Sequence, residues 1–164
     1  MEVLDHNQIS HKISRLAYEI LESNIDEDAI LLAGINNNGY KFAEIVCSKL
    51  QQISNKKIIV YRIRLNPADP LGSKITINDY DHFEKRPNVI IVDDVANTGR
   101  TIFYACKVFM DILMRKVEVA VLVDRKHKLF PIKVDYVGLS LATTVQEKID
   151  AKIDDQNNMS VILV

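Results

Sequence analysis

Cysteine, net charge and long apolar runs are all scarce in this sequence, and each scarcity excludes something. The 164 residues include two cysteines, Cys47 and Cys106. Both lie inside apolar patterns, without the close repeated spacing of a zinc site or a disulfide scaffold, so the expectation is a reducing, cytoplasmic compartment with both thiols filling core. Charge of one sign is missing too: 21 Lys+Arg against 22 Asp+Glu leave a net of −1. That excludes bulk polycation binding to nucleic acid and leaves only a local basic patch open. The longest apolar runs, Val89–Val92 and Val119–Val123, fall far short of the roughly 20 residues that cross a bilayer. The N-terminus, Met1 to Asn7, is polar and carries no apolar stretch after a basic start, so no targeting segment and no membrane partner are expected. There is no internal repeat, low-complexity tract or second-domain boundary.

What is present is apolar content, 48% of the chain. A chain near this length hides roughly 68–70% of its unfolded surface, so a single domain over 1–164 needs no disulfide or structural metal. Ile9, Ile13, Leu16, Ala17, Ile20 and Leu21 form a helical stripe within Gln8–Glu22, with Asp5 or Asn7 able to cap it. Ala29–Ile35 is apolar on both alternations, as in a strand covered on both faces. A turn at Asn36-Asn37-Asn38-Gly39, a helix over Tyr40–Ile53 and a strand over Ile58–Leu65 complete a βαβ unit. Asn66–Asn88 breaks the pattern with Pro67, Pro70, Gly72 and a short alternating piece, Lys74–Ile77; so long a loop in a compact domain is usually functional or mobile. Strand Val89–Asp93, helix Thr101–Arg115 and strand Val117–Val123 follow. Short elements are expected at Asp135–Leu141 and Ser160–Val164, with a helical or turn segment around Val145–Asp155. The alternation implies an α/β fold: an open, mainly parallel sheet with helices on both faces and a ligand site at the carboxyl ends of its strands.

One segment carries the chemistry: Val89-Ile90-Ile91-Val92-Asp93-Asp94-Val95-Ala96-Asn97-Thr98-Gly99-Arg100-Thr101. A buried strand delivers two adjacent acids, and a Thr/Gly turn then opens a helix. Backbone N–H groups of the turn and the positive end of the helix form an anion cradle, Gly99 permits close approach, and Thr98 and Thr101 add hydroxyls. The acids can accept hydrogen bonds from vicinal ribose hydroxyls and repel a second phosphate. The combination reads as a ribose 5-phosphate site. A bare Asp-Asp pair would be no more than a helix cap; the whole pattern is more specific.

This segment resembles the phosphoribosyl-pyrophosphate signature of the type I phosphoribosyltransferases. Within them it is most similar to the pyrimidine operon attenuator proteins that double as uracil phosphoribosyltransferases. The block Leu122 to Gly138, with Asp124-Arg125-Lys126-His127-Lys128, resembles that subgroup in order and spacing. The resemblance implies that Asp93 and Asp94 bind the ribose hydroxyls and that Asn97, Thr98, Gly99, Arg100 and Thr101 wrap the 5-phosphate. It places Asn36, Asn37, Asn38 and Gly39 as the pyrophosphate loop. It implies Mg2+ held mainly through the substrate, a mobile covering loop at about 66–81, and a small C-terminal hood formed largely by 124–164. The base would lie near Asp124, Arg125, Val137 and Leu141. The implied activity is transfer of ribose 5-phosphate from phosphoribosyl pyrophosphate to a nucleobase, a pyrimidine such as uracil, in a homodimer or larger homo-oligomer. A nucleotide-sensing regulator, weakly catalytic or non-catalytic and possibly RNA-binding, is the alternative.

Three departures refine this. Asn97 stands where the purine branch usually has an acid that accepts the base's proton, which argues against hypoxanthine or guanine. Asn36–Asn38 offers only amides where the attenuator subgroup carries a basic residue, so charge assistance to pyrophosphate is missing there. On the face that the attenuators use for RNA, Arg15, His127, Lys128 and Lys133 match in character and Arg125 and Lys126 add charge. Tyr18, Ser23 and Leu139 replace other basic positions. Each lost phosphate contact lowers a salt-dependent affinity, so RNA binding is disfavoured. The four histidines, His6, His11, His82 and His127, read as surface residues rather than metal ligands.

Overall fold

The computed structural model describes residues 1–78 and 86–164; the expectations for 79–81 of the covering loop and for His82 lie outside the described residues. The elements in chain order are β1 (Glu2–Leu4), α1 (His6–Ser23), β2 (Ala29–Ile35), α2 (Asn36–Ile53), β3 (Lys57–Arg64) and β4 (Thr76–Ile77). After these come β5 (Asn88–Ala96), α3 (Arg100–Ala105), a 3-10 turn (Cys106–Phe109), β6 (Lys116–Arg125), β7 (Tyr136–Leu141), β8 (Ile149–Lys152) and β9 (Ser160–Leu163). The main sheet has the order β4-β3-β2-β5-β6-β7. It is parallel except for the edge strand β4. The expected α/β sheet with helices on both faces is therefore present. α1 and α2 bury Ile9, Leu16, Phe42 and Leu50 against Leu32, Ile90 and Leu122. The opposite face carries α3 and the 3-10 turn, with Ile102 and Phe109 against Ile91, Val119 and Val121.

α1 begins where a reciprocal cap fixes it: Asp5 Oδ1 accepts from the Gln8 N–H at 2.8 Å and Gln8 Oε1 accepts from the Asp5 N–H at 2.9 Å. Of the two candidate caps, Asp5 is the one used.

Four local expectations are corrected. α2 starts at Asn36, so Asn36–Gly39 is its first turn rather than a separate loop. Asn36 bends the chain off β2 with φ +52°, a left-handed conformation Asn tolerates. Gly34 makes that entry possible, since a Cβ there would sit 2.4 Å from Tyr40 Cα. The expected helix to Arg115 stops at Ala105. Beyond the 3-10 turn, the Arg115 N–H donates to Pro87 O at 3.0 Å and draws the chain to the start of β6. The Val145–Asp155 region, expected as a helical or turn segment, holds the strand β8, because Ile149, Ala151 and Ile153 alternate inward with exposed Asp150 and Lys152. The hood is divided differently from 124–164: Tyr136–Leu141 joins the main sheet, and the small antiparallel sheet β1-β9-β8 takes its edge strand from the N-terminus.

Candidate functional site

β5 runs beyond Asp93 to Ala96, which sets the two acids inside the strand's carboxyl end instead of on a free loop. Asp93 is buried, with 9% of its surface exposed. Its Oδ1 accepts from the Asp94 N–H at 2.9 Å, and Asp94 Oδ1 accepts from the Val95 N–H at 2.8 Å. Both carboxylates are thus oriented by local backbone. Burial pushes the Asp93 carboxyl well above the usual aspartate range, and the adjacent Asp94 charge adds to the rise. An isolated pair of this kind is poised to take up groups that neutralise it, such as donating hydroxyls or a cation.

Asn38 Nδ2 donates to Asp94 Oδ2 at 3.1 Å, so the first turn of α2 lies directly beside the acids. Gly39 sets that approach: a Cβ on it would lie 2.6 Å from Val92 O and 3.1 Å from Asp93 Oδ1. Asn36 faces the other way, its Oδ1 accepting from the Leu65 N–H at 3.0 Å. Beside Asn36 and Asn37 opens a cleft of about 460 Å3, whose wall is completed by Arg64, Leu65, Asn66, Ser73 and Lys74. The sequence pattern pointed to none of the last five as a site residue. Arg64 sits in an alternation, Tyr61-Arg62-Ile63-Arg64, that puts both arginines on the face opposite two buried apolar residues.

The turn after β5 is built around a glycine. Gly99 takes φ +82°, and a Cβ would in addition press within 3.2 Å of Ile132 Cβ. Thr98 Oγ1 accepts from the Arg100 N–H at 3.3 Å, and Thr98 O accepts from the N–H groups of Leu129 at 2.9 Å and Phe130 at 3.2 Å. The segment after β6 therefore holds the turn from outside. Asn97 and Arg100 are exposed, and Thr101 is half-buried in the first turn of α3.

Of the residues expected around the base, Asp124 and Arg125 lie next to this turn and are already engaged. Arg125, 9% exposed, donates to Thr143 Oγ1 at 2.7 Å, Asn97 Oδ1 at 3.1 Å and Thr144 O at 2.9 Å. It clamps the turn to the 143–144 segment. Lys128 pairs with Asp124 and donates to Asn97 O at 3.1 Å. Asp124 is level with Ala96 and Ser140, and Arg125 with Leu141. Val137 does not join this rim: it is level with Val121 and, through it, Asp93, about 10 Å across two strands. Its carbonyl accepts from Arg15 Nη2 at 2.7 Å.

The residues on the expected RNA face are largely committed elsewhere. Arg15 also pairs with Glu19 at 3.2 Å, and His127 Nε2 contacts Thr143 O at 2.6 Å. Lys126 and Lys133 remain exposed. Among the described residues no three acids, histidines or cysteines converge on a metal position. No helix among them is long and apolar enough to cross a membrane. Cys47 and Cys106 are free, and burial raises both thiols above the ordinary cysteine value.

A mainly parallel sheet with an acid pair at one strand end, a glycine turn after it and the first turn of α2 alongside is the arrangement expected of a phosphoribosyltransferase. The comparisons agree with it. The family model for the phosphoribosyl transferase domain matches residues 1–156, and the chain belongs to that family. It is 33% identical to the bifunctional protein PyrR of Pediococcus pentosaceus, over 99% of this chain and 97% of that one. It is 35% identical to the protein of the same name from Bacillus cereus, over 97% and 95%. Among solved structures, the hypoxanthine phosphoribosyltransferase of Trypanosoma cruzi superposes with a TM-score of 0.78 at 15% identity, covering 98% of this chain and 95% of that one. A hypoxanthine-guanine phosphoribosyltransferase from Bacillus anthracis gives 0.72 at 15% identity, covering 98% and 96%. These two likenesses concern the fold.

Proposed function

We propose that the protein transfers ribose 5-phosphate from phosphoribosyl pyrophosphate to a ring nitrogen of a pyrimidine such as uracil and releases pyrophosphate. The observation that carries this reading is the Asp93–Asp94 pair flanked on one side by the Gly99 turn and on the other by Asn38. Asp93 and Asp94 accept hydrogen bonds from the ribose hydroxyls. The turn from Asn97 to Thr101 wraps the 5-phosphate, and Asn36 to Gly39 face the pyrophosphate. Mg2+ fits this donor set as a cation carried by the substrate's own oxygens and water, with the acid pair nearby, because it keeps several waters and takes hard oxygen ligands. When bound it neutralises the leaving pyrophosphate. The protein's own contribution is positioning and charge placement at a ribosyl centre that becomes positive as the leaving group departs. Residues 66–78 are the described part of the segment assigned to cover the site and exclude water.

The base is assigned to the rim near Asp124 and Leu141. Asn97 spends its Oδ1 on Arg125, which supports a base that needs no proton acceptor there. The free cysteines support a cytoplasmic location, and exposed Met110 and Leu113 support a homo-oligomer. The test is pyrophosphate release from phosphoribosyl pyrophosphate with magnesium and a panel of uracil, orotate, adenine and hypoxanthine. Release with uracil is expected; release with none of the bases counts against the enzyme.

A regulator that retains nucleotide without turnover is the second reading. The uncharged Asn36–Asn38 turn favours it. Tight binding of phosphoribosyl pyrophosphate without release in the same assay would select it.

A further inference from the structure

The turn Asn36–Asn38 contains no charge, yet the leaving group assigned to it is a polyanion. On the side of this turn away from Asp94, the cleft of about 460 Å3 brings Arg64 and Lys74 to the same wall as Asn36 and Asn37. Among the described residues no acid lines that cleft. Both basic residues are exposed, and neither makes an ion pair with a described residue. Arg15, Arg115, Lys116, Lys128 and Lys133, by contrast, are all paired with acids. The turn therefore separates two fields of opposite sign: the Asp93–Asp94 carboxylates on one side, a guanidinium and an ammonium on the other.

Arg64 is held in place. It is the last residue of β3, level with Ile77's neighbour Thr76 on β4, and the next residue, Leu65, donates its N–H to Asn36 Oδ1 at 3.0 Å. Arg62, two residues earlier on the same face, stacks over the Tyr40 ring at 3.9 Å. β3 is thus tied to the N-terminal end of α2 at two positions, Tyr40 and Asn36, and a group bound against Asn36 and Asn37 also faces Arg64.

We infer that Arg64 and Lys74 form the cationic half of the pyrophosphate subsite, supplying from the ends of β3 and the following segment the charge that Asn36–Asn38 lacks. This rests on the transferase reading above. A charge-assisted contact to phosphate is about twice as strong as a neutral one. Losing one weakens binding roughly 10- to 100-fold.

The experiment is calorimetry with magnesium present, using three probes: phosphoribosyl pyrophosphate, inorganic pyrophosphate and uridine monophosphate. The proteins are the wild type, Arg64→Gln, Lys74→Gln, Arg64→Lys, and Arg64→Gln combined with Asn37→Lys. The two Gln variants are expected to bind both pyrophosphate-bearing probes at least about tenfold more weakly. They keep the wild-type affinity for uridine monophosphate, which has no pyrophosphate and also reports that they are folded. Arg64→Lys retains most of the affinity, and Asn37→Lys restores much of what Arg64→Gln loses. Wild-type affinity for phosphoribosyl pyrophosphate in both Gln variants overturns the inference and leaves the transferase reading standing. A wild type that binds none of the three probes overturns both.

Discussion

Asn38 Nδ2 donates to Asp94 Oδ2 across 3.1 Å, and this bond joins the entry of α2 to the acid end of β5. An amide in that position holds the carboxylate without neutralising it. Asn38→Ala is expected to lower kcat/KM for phosphoribosyl pyrophosphate by up to about tenfold, the value of one hydrogen bond. Asn38→Asp sets a like charge against Asp94 and costs more. Steady-state kinetics on the two variants checks the order.

Asp93 is held at a cost to stability. Its folded value lies above the ordinary 3.8 because of burial first and the Asp94 charge second. The folded state therefore holds more protons than the unfolded one from 3.8 upward, and this residue's contribution to stability falls as the pH rises through that window. Asp93→Asn keeps an Oδ1 acceptor for the Asp94 N–H and carries no charge. Melting curves from pH 5 to 8 are expected to show the variant more stable than the wild type, with a gap that widens or holds as the pH rises. A variant that melts lower at pH 8 contradicts this.

Gly39 has no room for a methyl group: its Cβ would lie 2.6 Å from Val92 O, a backbone atom that cannot swing aside. Gly39→Ala is expected to destabilise the fold by about 1–3 kcal/mol in urea denaturation. It also shifts Asn38 away from Asp94, so phosphoribosyl pyrophosphate affinity falls with it.

Arg125 bonds Thr143, Asn97 and Thr144 from a buried position. Arg125→Ala is expected to cost about 1.5–3 kcal/mol and to raise KM for phosphoribosyl pyrophosphate, because the turn proposed to hold the 5-phosphate loses its brace at Asn97. An unchanged urea midpoint would mean that the clamp is not formed.

Much of this was legible in advance. Continuous apolar runs such as Ala29–Ile35 and Val89–Val92 gave the parallel strands, and the Asp93 to Thr101 segment marked the turn between β5 and α3 to which the 5-phosphate is assigned, because acids, threonines and a glycine there leave little other chemistry. Other parts were hidden for physical reasons. Asn36–Asn38 resembles a turn by composition; only the left-handed Asn36 and the tight passage between Gly34 and Tyr40 make it the start of a helix. β1 is three residues long and has meaning only through its pairing with β9, far away in sequence. Arg125 was expected near the base, yet its partners Asn97, Thr143 and Thr144, 18 to 28 residues away, are brought to it by tertiary structure.

That commitment bears on RNA. With Arg15, Arg125, His127 and Lys128 engaged, Lys126 and Lys133, the latter in a long, solvent-exposed pair with Asp135 at 3.7 Å, are the basic residues left on that face. Two phosphate contacts to single-stranded RNA give a log–log salt slope no steeper than about −1.4. A filter-binding titration that returns a much steeper slope contradicts this account of the surface.

The most direct test of the central claim is calorimetric titration of phosphoribosyl pyrophosphate, with magnesium, into the wild type and into the double variant Asp93→Asn with Asp94→Asn. The ribose-site assignment predicts clear binding by the wild type and none detectable by the folded double variant. Equal affinity in the two proteins would contradict it.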